Sequence, residues 1–322
     1  MTLRRMTTRR SFLSNTLRGG AAVAAASCGL ASRAASRRGD GAYHVGIYTR
    51  PWDQYDYRVA LDAIVEAGYR HVGLMTTKRP SGGRLVISVD TAPEEAERVG
   101  EEVKKRGLSV CSIYGGSIPI HRSLEQGIAG LRRLIDNCVA VRAKSLLMGG
   151  IGRADLYDRY YQAIAECCDY AAERGLPITV KPHGGLNSTG PQCRKCIERV
   201  GHKNFSLWYD PGNIFFYSHG ELDPVDDAAT VAGLVTEGIC IKDFDMTVKN
   251  GKPTRDVWIT PGTGRVDFPK VLKVLRDGGF RSGHWVIECV ARGDGSLRRI
   301  LAEAKEARQY VEHVISGLAV RS

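Results

Sequence analysis

Short apolar stretches rich in β-branched and aromatic residues alternate with longer amphipathic stretches eight times along this chain. The predicted strands span residues 44–49, 71–76, 108–114, 145–148, 178–183, 205–210, 239–243 and 284–290. The predicted helices span residues 57–67, 93–106, 122–141, 154–174, 190–200, 225–236, 268–278 and 297–315. Because a helix separates each strand from the next, consecutive strands are predicted to run parallel.

Eight such units over about 280 residues predict an α/β fold, a closed (β/α)8 TIM barrel. An open, doubly wound sheet is the alternative. No Gly-x-Gly-x-x-Gly motif follows the first predicted strand, which weakens the dinucleotide-binding version of that alternative. Residues 39–322 contain no Pro/Ser-rich linker, charge block or low-complexity segment, so we predict a single domain there.

The N-terminal sequence Arg-Arg-Ser-Phe-Leu at positions 9–13 precedes a weakly apolar run over residues 19–35. This arrangement resembles a twin-arginine export signal, and we predict that residues 1–38 are such a signal. The run is too short and too weakly apolar for a transmembrane span. A disordered basic N-terminus and a lipoprotein signal at Cys28 are the alternatives. The predicted location of the domain is therefore the periplasm or the cell surface.

The positive charge of the chain lies largely in this leader. The formal net charge is +11, from 46 basic and 35 acidic residues. Eight of the basic residues fall within residues 1–38, so the other 38 exceed the 35 acids by three. A nearly neutral domain lacks the excess of basic residues that binding to nucleic-acid phosphates requires, and we expect no nucleic-acid partner.

The chain has nine cysteines, of which Cys193 and Cys196 are the one closely spaced pair separated by two residues. A second pair with zinc-finger spacing is lacking. This pair has three possible roles, which the sequence does not decide: a disulfide, a metal site, or ordinary helix residues with no special function. Four others lie in apolar runs and are predicted to be core residues, namely Cys111, Cys138, Cys240 and Cys289.

In TIM barrels, the catalytic residues lie at the C-terminal ends of the strands. This strand-end rule selects candidate site residues in the predicted barrel. The later strands end in many more ionisable residues than the early ones. The residues selected by this rule are Tyr48, Arg50, Trp52, Tyr114, Lys181, His183, Asp210, Asn213, Lys242, Asp243, Asp245 and Glu288.

Five short motifs give the chain a family resemblance. They are Val-Lys-Pro-His-Gly-Gly at 180–185, Tyr-Asp-Pro-Gly-Asn at 209–213, Ile-Lys-Asp at 241–243, Pro-Gly-Thr-Gly-Arg-Val-Asp-Phe at 261–268 and Val-Ile-Glu at 286–288. In this order, the motifs resemble those of the xylose isomerase-like TIM barrels, the sugar phosphate isomerases and epimerases. The resemblance covers roughly residues 42–315.

Members of this superfamily commonly bind a divalent metal through Glu, Asp, His and Glu from strands five to eight. By resemblance, those positions hold Lys181, Asp210, Cys240 and Glu288 here. Two of the four ligands are therefore replaced, and an ammonium group repels a metal ion. Two hypotheses remain open. In the first, Mn²⁺ or Zn²⁺ is bound by a rebuilt set that uses His183 with Asp210 and Glu288, and Cys240 as a sulfur donor. In the second, the pocket lacks metal and Lys181 pairs with Asp210 or Glu288.

The resemblance implies proton removal next to a carbonyl or hydroxymethine carbon, which needs a base and a group that stabilises an enediolate oxygen. We expect Glu288 to be the base, with Lys181 and Lys242 as further catalytic residues. The residues expected to bind substrate are Trp52, Asn213, Asp243 and His183.

The resulting hypothesis is a sugar or keto-sugar isomerase or epimerase with a small carbohydrate as its partner. A lyase or dehydratase that acts on an oxidised sugar by β-elimination is the first alternative. A non-catalytic sugar-binding barrel is the second, and the altered metal-ligand set motivates it.

Overall fold

Eight parallel strands close into a barrel in the computed structural model, which describes residues 42–79, 84–249 and 251–319. The strands are Tyr43–Tyr48 (β1), His71–Leu74 (β2), Ser109–Tyr114 (β3), Leu146–Met148 (β4), Ile178–Val180 (β5), Phe205–Tyr209 (β6), Val235–Ile241 (β7), Asp245–Lys249 (β8), Lys252–Asp256 (β9) and Gly283–Ile287 (β10). The order around the barrel is β1-β10-β7-β6-β5-β4-β3-β2, while β8 and β9 form a separate antiparallel hairpin. The predicted fold class is confirmed.

Helices connect the barrel strands. They are Tyr57–Glu66 (α1), Pro93–Lys105 (α2), Leu124–Ala140 (α3), Tyr157–Ala172 (α4), Gly190–Val200 (α5), Pro211–Tyr217 (α6), Pro224–Ala229 (α7), Phe268–Asp277 (α8) and Leu297–Ala319 (α9). Short 3-10 turns lie at Arg50–Trp52, Ala154–Leu156 and Gly185–Asn187. None of the helices in the described residues is long and apolar enough to cross a membrane.

Helix α3 shows how the sequence specifies these connections. The Ser123 hydroxyl accepts a hydrogen bond from the backbone N–H of Gln126 and caps the helix N-terminus. Apolar residues then recur at helical spacing and are fully buried at Leu131, Leu134 and Ile135. Burial of each of these side chains stabilises the fold by about 2 kcal/mol. Truncation of Leu134 to alanine would remove part of that contribution and leave a cavity.

The apolar core has two parts. A large cluster fills the space between the strands and the surrounding helices. A second cluster lies inside the barrel and consists of Tyr48, Met75, Cys111, Leu147, Trp208, Cys240 and Val286. Gly73 on β2 makes room for the Tyr48 ring, because a Cβ at position 73 would lie 2.2 Å from the ring. Side chains alternate between the two faces of a strand. Cys240 and Val286 therefore point into the barrel, as do the residues two positions after them, where the strands have ended.

The elements differ from the prediction at three places after β6. The structure contains α6 directly after Asp210, and the helix predicted over 225–236 ends at Ala229. The hairpin β8–β9 was not predicted, although Asn250-Gly251 in the sequence is typical of a two-residue hairpin turn. The predicted export signal at residues 1–38 lies outside the described residues.

The described cysteines are free and buried, including Cys193 and Cys196 on α5. Cys111, Cys138, Cys240 and Cys289 are completely buried, which confirms their assignment to the core. The Cys193 thiol donates to the Asn187 carbonyl oxygen at 3.5 Å. This pair therefore packs within a helix in its reduced form.

Candidate active site

Four charged side chains meet inside the barrel at the C-terminal ends of its later strands. Lys181 follows β5, Asp210 follows β6, Lys242 follows β7 and Glu288 follows β10. Their relative exposures are 1%, 0%, 3% and 0%, so all four are removed from bulk water. Buried charges persist only when they are paired, and these four form one hydrogen-bonded cluster.

Glu288 lies at the centre of this cluster. Its Oε2 accepts from Lys181 Nζ at 2.5 Å and from Cys240 Sγ at 3.2 Å. Its Oε1 lies 2.6 Å from Lys242 Nζ and also accepts a hydrogen bond from Arg50. Burial by itself raises the pKa of Glu288, but Lys181, Lys242 and Arg50 outweigh burial and hold the pKa well below its usual range. Glu288 is therefore ionised, and both of its oxygens are engaged.

Asp210 connects the cluster to helix α6. Its Oδ2 lies 3.1 Å from Lys181 Nζ and 3.3 Å from Lys242 Nζ. Its Oδ1 accepts from the backbone N–H of Asn213 at 3.1 Å and caps α6. Asn213 in turn accepts from Lys242 Nζ at 3.0 Å and donates to the Pro182 carbonyl oxygen at 2.6 Å. Asn213, predicted to bind substrate, thus holds Lys242 in position.

Both lysines are ammonium groups at neutral pH. Burial lowers the pKa of Lys181, but the carboxylates of Glu288 and Asp210 act in the opposite direction, and the pKa lies well above its usual value. Burial likewise lowers the pKa of Lys242, and Asp210 and Glu288 raise it more. Neither lysine is available as a base in this arrangement, and each offers fixed positive charge and hydrogen-bond donors.

His183 lies beyond the cluster, toward the end of the barrel. Its ring centroid is 5.8 Å from that of Tyr114 and 6.1 Å from that of Tyr217. Burial and the charges of Lys181 and Lys242 lower the pKa of His183 to about 3. The imidazole is therefore neutral, and its ring packs with the two tyrosine rings next to the charged groups.

Asp210, Cys240 and Glu288 are a possible buried metal-ligand group among the described residues, since one ligand atom of each lies within 4.8 Å of the others. Three of the four residues of the predicted rebuilt set are thus brought together, whereas His183 is not part of this group.

Lys181 decides whether this group suits a divalent metal. Its Nζ lies 3.1 Å from Asp210 Oδ2, 2.5 Å from Glu288 Oε2 and 3.9 Å from Cys240 Sγ. The ammonium thus contacts every atom that would ligate the metal. A divalent cation cannot share that position, and the nearby charge of Lys242 would also repel it. With Lys181 in place, the donor set does not fit a divalent metal.

Two other predicted substrate-binding residues have different surroundings. Trp52 is 0% exposed and packs in the outer core cluster, so no ring face is accessible to a sugar. The Asp243 carboxylate accepts backbone hydrogen bonds from Phe244, Gly262, Gly264 and Val266, at 2.8, 3.0, 2.8 and 3.1 Å. Asp243 therefore anchors the loop that precedes α8. Adjacent residues on a strand point to opposite sides, which explains why Lys242 reaches the barrel centre and Asp243 does not.

Arg50 is the main site residue to which the sequence analysis gave no role. It follows β1, donates to Glu288 and lies with its guanidinium carbon 5.0 Å from the Trp258 ring centre. Arg292 stacks on the same ring at 3.5 Å and pairs with Asp53 at 2.9 Å. The strand-end rule selected Arg50, but nothing in the local sequence indicated that it would reach a carboxylate 238 residues away.

A closed parallel barrel with ionisable groups at the C-terminal strand ends is the arrangement of TIM-barrel enzymes. Residues 61–314 match the family described as xylose isomerase-like TIM barrel, and the chain belongs to this family. A search of curated protein sequences found no match.

Several solved structures share the fold. A D-psicose 3-epimerase, determined in the presence of D-fructose, has a TM-score of 0.64 and 14% identity over 84% of this chain and 99% of its own. A xylose isomerase-like TIM barrel protein from Mycobacterium smegmatis, in complex with magnesium, has a TM-score of 0.62 and 17% identity over 81% and 88%. A probable 3-DHS dehydratase from Bacillus anthracis has a TM-score of 0.59 and 14% identity over 81% and 97%. At these identities, the likeness concerns the fold.

Proposed function

We propose that this protein is a sugar or keto-sugar isomerase or epimerase that moves a proton next to a carbonyl carbon. The observation that carries the proposal is the buried cluster of Glu288, Asp210, Lys181 and Lys242 at the catalytic end of the barrel. Such chemistry needs a carboxylate base and cationic donors for the enediolate oxygen. Both are present, and the D-psicose 3-epimerase structure has the same fold.

In the proposed step, the substrate carbonyl oxygen accepts hydrogen bonds from the ammonium groups of Lys181 and Lys242. Glu288 loses those donors, and its pKa rises toward the range of a general base. The carbon-bound proton then passes to Glu288, and the electron pair of the C–H bond moves toward the carbonyl oxygen. The lysines stabilise the enediolate. Return of the proton from Glu288 to the neighbouring carbon gives an isomer. For an epimer, a lysine ammonium on the opposite face donates a proton to the same carbon, and the proton held by Glu288 then passes back to that lysine.

The sequence analysis gave two alternative functions, and both are retained. The same carbanion-like intermediate can expel a β-hydroxyl group, which would make the protein a lyase or dehydratase on an oxidised sugar. A non-catalytic sugar-binding barrel is the second alternative, and the complete mutual pairing of the charged groups favours it. A version with Mn²⁺ or Zn²⁺ on Asp210, Cys240 and Glu288 would first have to displace Lys181.

Export by the twin-arginine route to the periplasm or cell surface belongs to the same proposal. The Arg-Arg-Ser-Phe-Leu sequence at 9–13 supports it. A fusion of residues 1–38 to a reporter that is active only after export tests it, with Arg9→Lys and Arg10→Lys together as the control. Export that persists in the double variant would contradict the twin-arginine route.

Deuterium exchange tests the enzyme. The protein is incubated with a panel of aldoses, ketoses and sugar acids in D₂O, and NMR follows deuterium at the carbon next to the carbonyl group. We expect exchange with the unmodified protein and its loss in Glu288→Gln, Lys181→Met and Asp210→Ala. Lys273→Gln on α8 is the exposed control and retains exchange. An unsaturated product would indicate the lyase, whereas binding without exchange, with Asp210→Ala altering affinity alone, would indicate the binding module.

A further inference from the structure

We infer that the centre of the barrel binds a sugar acid, whose carboxylate is held by Arg50 while the two buried lysines face the carbons that follow it. This inference rests on the proposed active site and names the chemical class of its ligand. It starts from the disagreement between the residues present and the divalent metal that the family resemblance implies. An ammonium group stands where the metal would be, and two more cations surround it.

The charge balance of the cluster points to an anion. Among the residues that the structure describes, three cations, Arg50, Lys181 and Lys242, contact two carboxylates, Asp210 and Glu288. With Arg50 included, the cluster therefore carries one positive charge in excess. Four of the five side chains are at most 3% exposed, and the Arg50 side chain is 25% exposed. Bulk water cannot solvate this charge well, and a bound anion would compensate it.

The polar neighbours of the cluster do not provide this compensation. The Cys240 thiol donates a hydrogen bond to Glu288 Oε2 at 3.2 Å and is therefore a neutral donor, and the His183 ring packs against Tyr114 and Tyr217. A further cation, Arg292, stacks on the same Trp258 ring as Arg50 and pairs with Asp53 at 2.9 Å. Asp53 is therefore engaged by its own cation and brings no spare negative charge to the cluster.

Arg50 is the group that an entering anion would meet first. It is the most exposed of the three cations, and its guanidinium lies against the Trp258 ring at 5.0 Å. A planar guanidinium can bind a carboxylate through two parallel hydrogen bonds. With its carboxylate on Arg50, a short sugar acid would present its next carbons to Lys242 and Lys181.

The size of the excess charge distinguishes a carboxylate from a phosphate. One excess positive charge is neutralised by one carboxylate, whereas a phosphate monoester carries about −1.5 to −2 at neutral pH. We therefore commit to sugar acids, such as uronates and aldonates. Sugar phosphates become an outcome of the test that would overturn this choice.

Calorimetric titration of the full-length protein in the presence of EDTA tests the inference. The ligands are matched pairs of acid and neutral sugar, D-glucuronate with D-glucose, D-galacturonate with D-galactose and D-gluconate with D-glucitol, and the phosphate probe is glucose-6-phosphate. We expect at least one acid to bind about tenfold more tightly than its neutral partner, with an affinity that falls as salt is added.

Arg50→Gln is the decisive variant, because it removes the excess charge and leaves both carboxylates paired with lysines. The preference for the acid should fall on the order of tenfold in Arg50→Gln and stay unchanged in the exposed control Lys273→Gln. Circular dichroism checks that Arg50→Gln is folded, and Lys242→Met is the second variant. The inference would be overturned if no acid binds, or if acids and neutral sugars bind equally. It would also be overturned if the phosphate binds more tightly than the acids, or if the preference for acids survives in Arg50→Gln.

The two proposals can fail separately. Sugar acids that bind without deuterium exchange would support the ligand class and contradict the enzyme. Exchange on neutral sugars with no preference for acids would support the enzyme and contradict the ligand class.

Discussion

The Lys181 ammonium lies 2.5 Å from the Glu288 carboxylate, although β5 and β10 are separated by two strands around the barrel. The same nitrogen reaches Asp210 Oδ2 and Cys240 Sγ. Lys181 thus makes the contacts that a divalent metal would make with these three residues. A substitution of one ligand position by lysine has therefore changed the electrostatics of the whole site.

Replacement of Lys181 by glutamate should restore a metal site. Lys181→Glu removes the competing ammonium and adds a carboxylate beside Asp210, Cys240 and Glu288, a mixed oxygen and sulfur set that suits Mn²⁺ or Zn²⁺. We expect about one equivalent of metal in the variant and none at stoichiometric level in the unmodified protein. Elemental analysis after dialysis measures both. Lys181→Met is the matched control, and stoichiometric metal in the unmodified protein would contradict the assignment of Lys181 to the metal position.

Removal of the carboxylate should destabilise the fold more than removal of the ammonium. Glu288→Gln leaves three cations with Asp210 alone, at an expected cost of about 3–5 kcal/mol, because buried charge is left uncompensated. Lys181→Met leaves two cations with two carboxylates and should cost less. The double variant should recover part of the loss of Glu288→Gln. Urea unfolding of the three variants measures this, and the reverse order of stability for the single variants would refute the charge balance.

The Asp243 carboxylate should be needed for stability. Asp243→Asn replaces one of its two acceptor oxygens by an NH₂ group, which leaves two backbone N–H groups of the loop before α8 without an acceptor. We expect a loss of about 2–4 kcal/mol. Thermal unfolding compares this variant with Asp226→Asn, whose side chain is exposed. Unchanged stability of Asp243→Asn would return Asp243 to the candidates for substrate contact.

Three histidines at the opposite end of the barrel should make stability sensitive to acid. The rings of His44, His71 and His284 lie with centroids 4.8–5.5 Å apart, and burial followed by the charges of His71 and His44 lowers the pKa of His284 to about 4. The folded pKa lies below the unfolded value of about 6.5, so the neutral ring contributes stability above that pH. The contribution is lost as the pH falls from about 6.5 to about 4, by up to about 3 kcal/mol.

His284→Gln should reduce this acid-induced loss. Unfolding midpoints at pH 7 and at about pH 4.5 measure it for the unmodified protein and the variant. The exposed His313→Gln is the control. An identical loss in His284→Gln and in the unmodified protein would show that other groups carry the acid sensitivity.

The strand-end rule shows what could be read from the local sequence. The rule placed four residues at one end of the barrel before any contact was known, because each lies near the C-terminal end of a predicted strand, namely Lys181, Asp210, Lys242 and Glu288. Trp52 passed the same rule, yet its ring turned into the outer core. The rule gives the level of a residue along the barrel axis. The turn of the chain after the strand sets the direction of the side chain, and that turn depends on packing.

The sequence by itself determined the barrel, because its alternating apolar periods are local and leave few ways to bury both the strands and the helices. It also determined which ionisable residues stand at the strand ends. The tertiary structure alone decided their pairing, since the Arg50, Lys181 and Glu288 side chains come from strands far apart in sequence. Their charges and pKa values follow from that shared burial, which no single segment of the chain encodes.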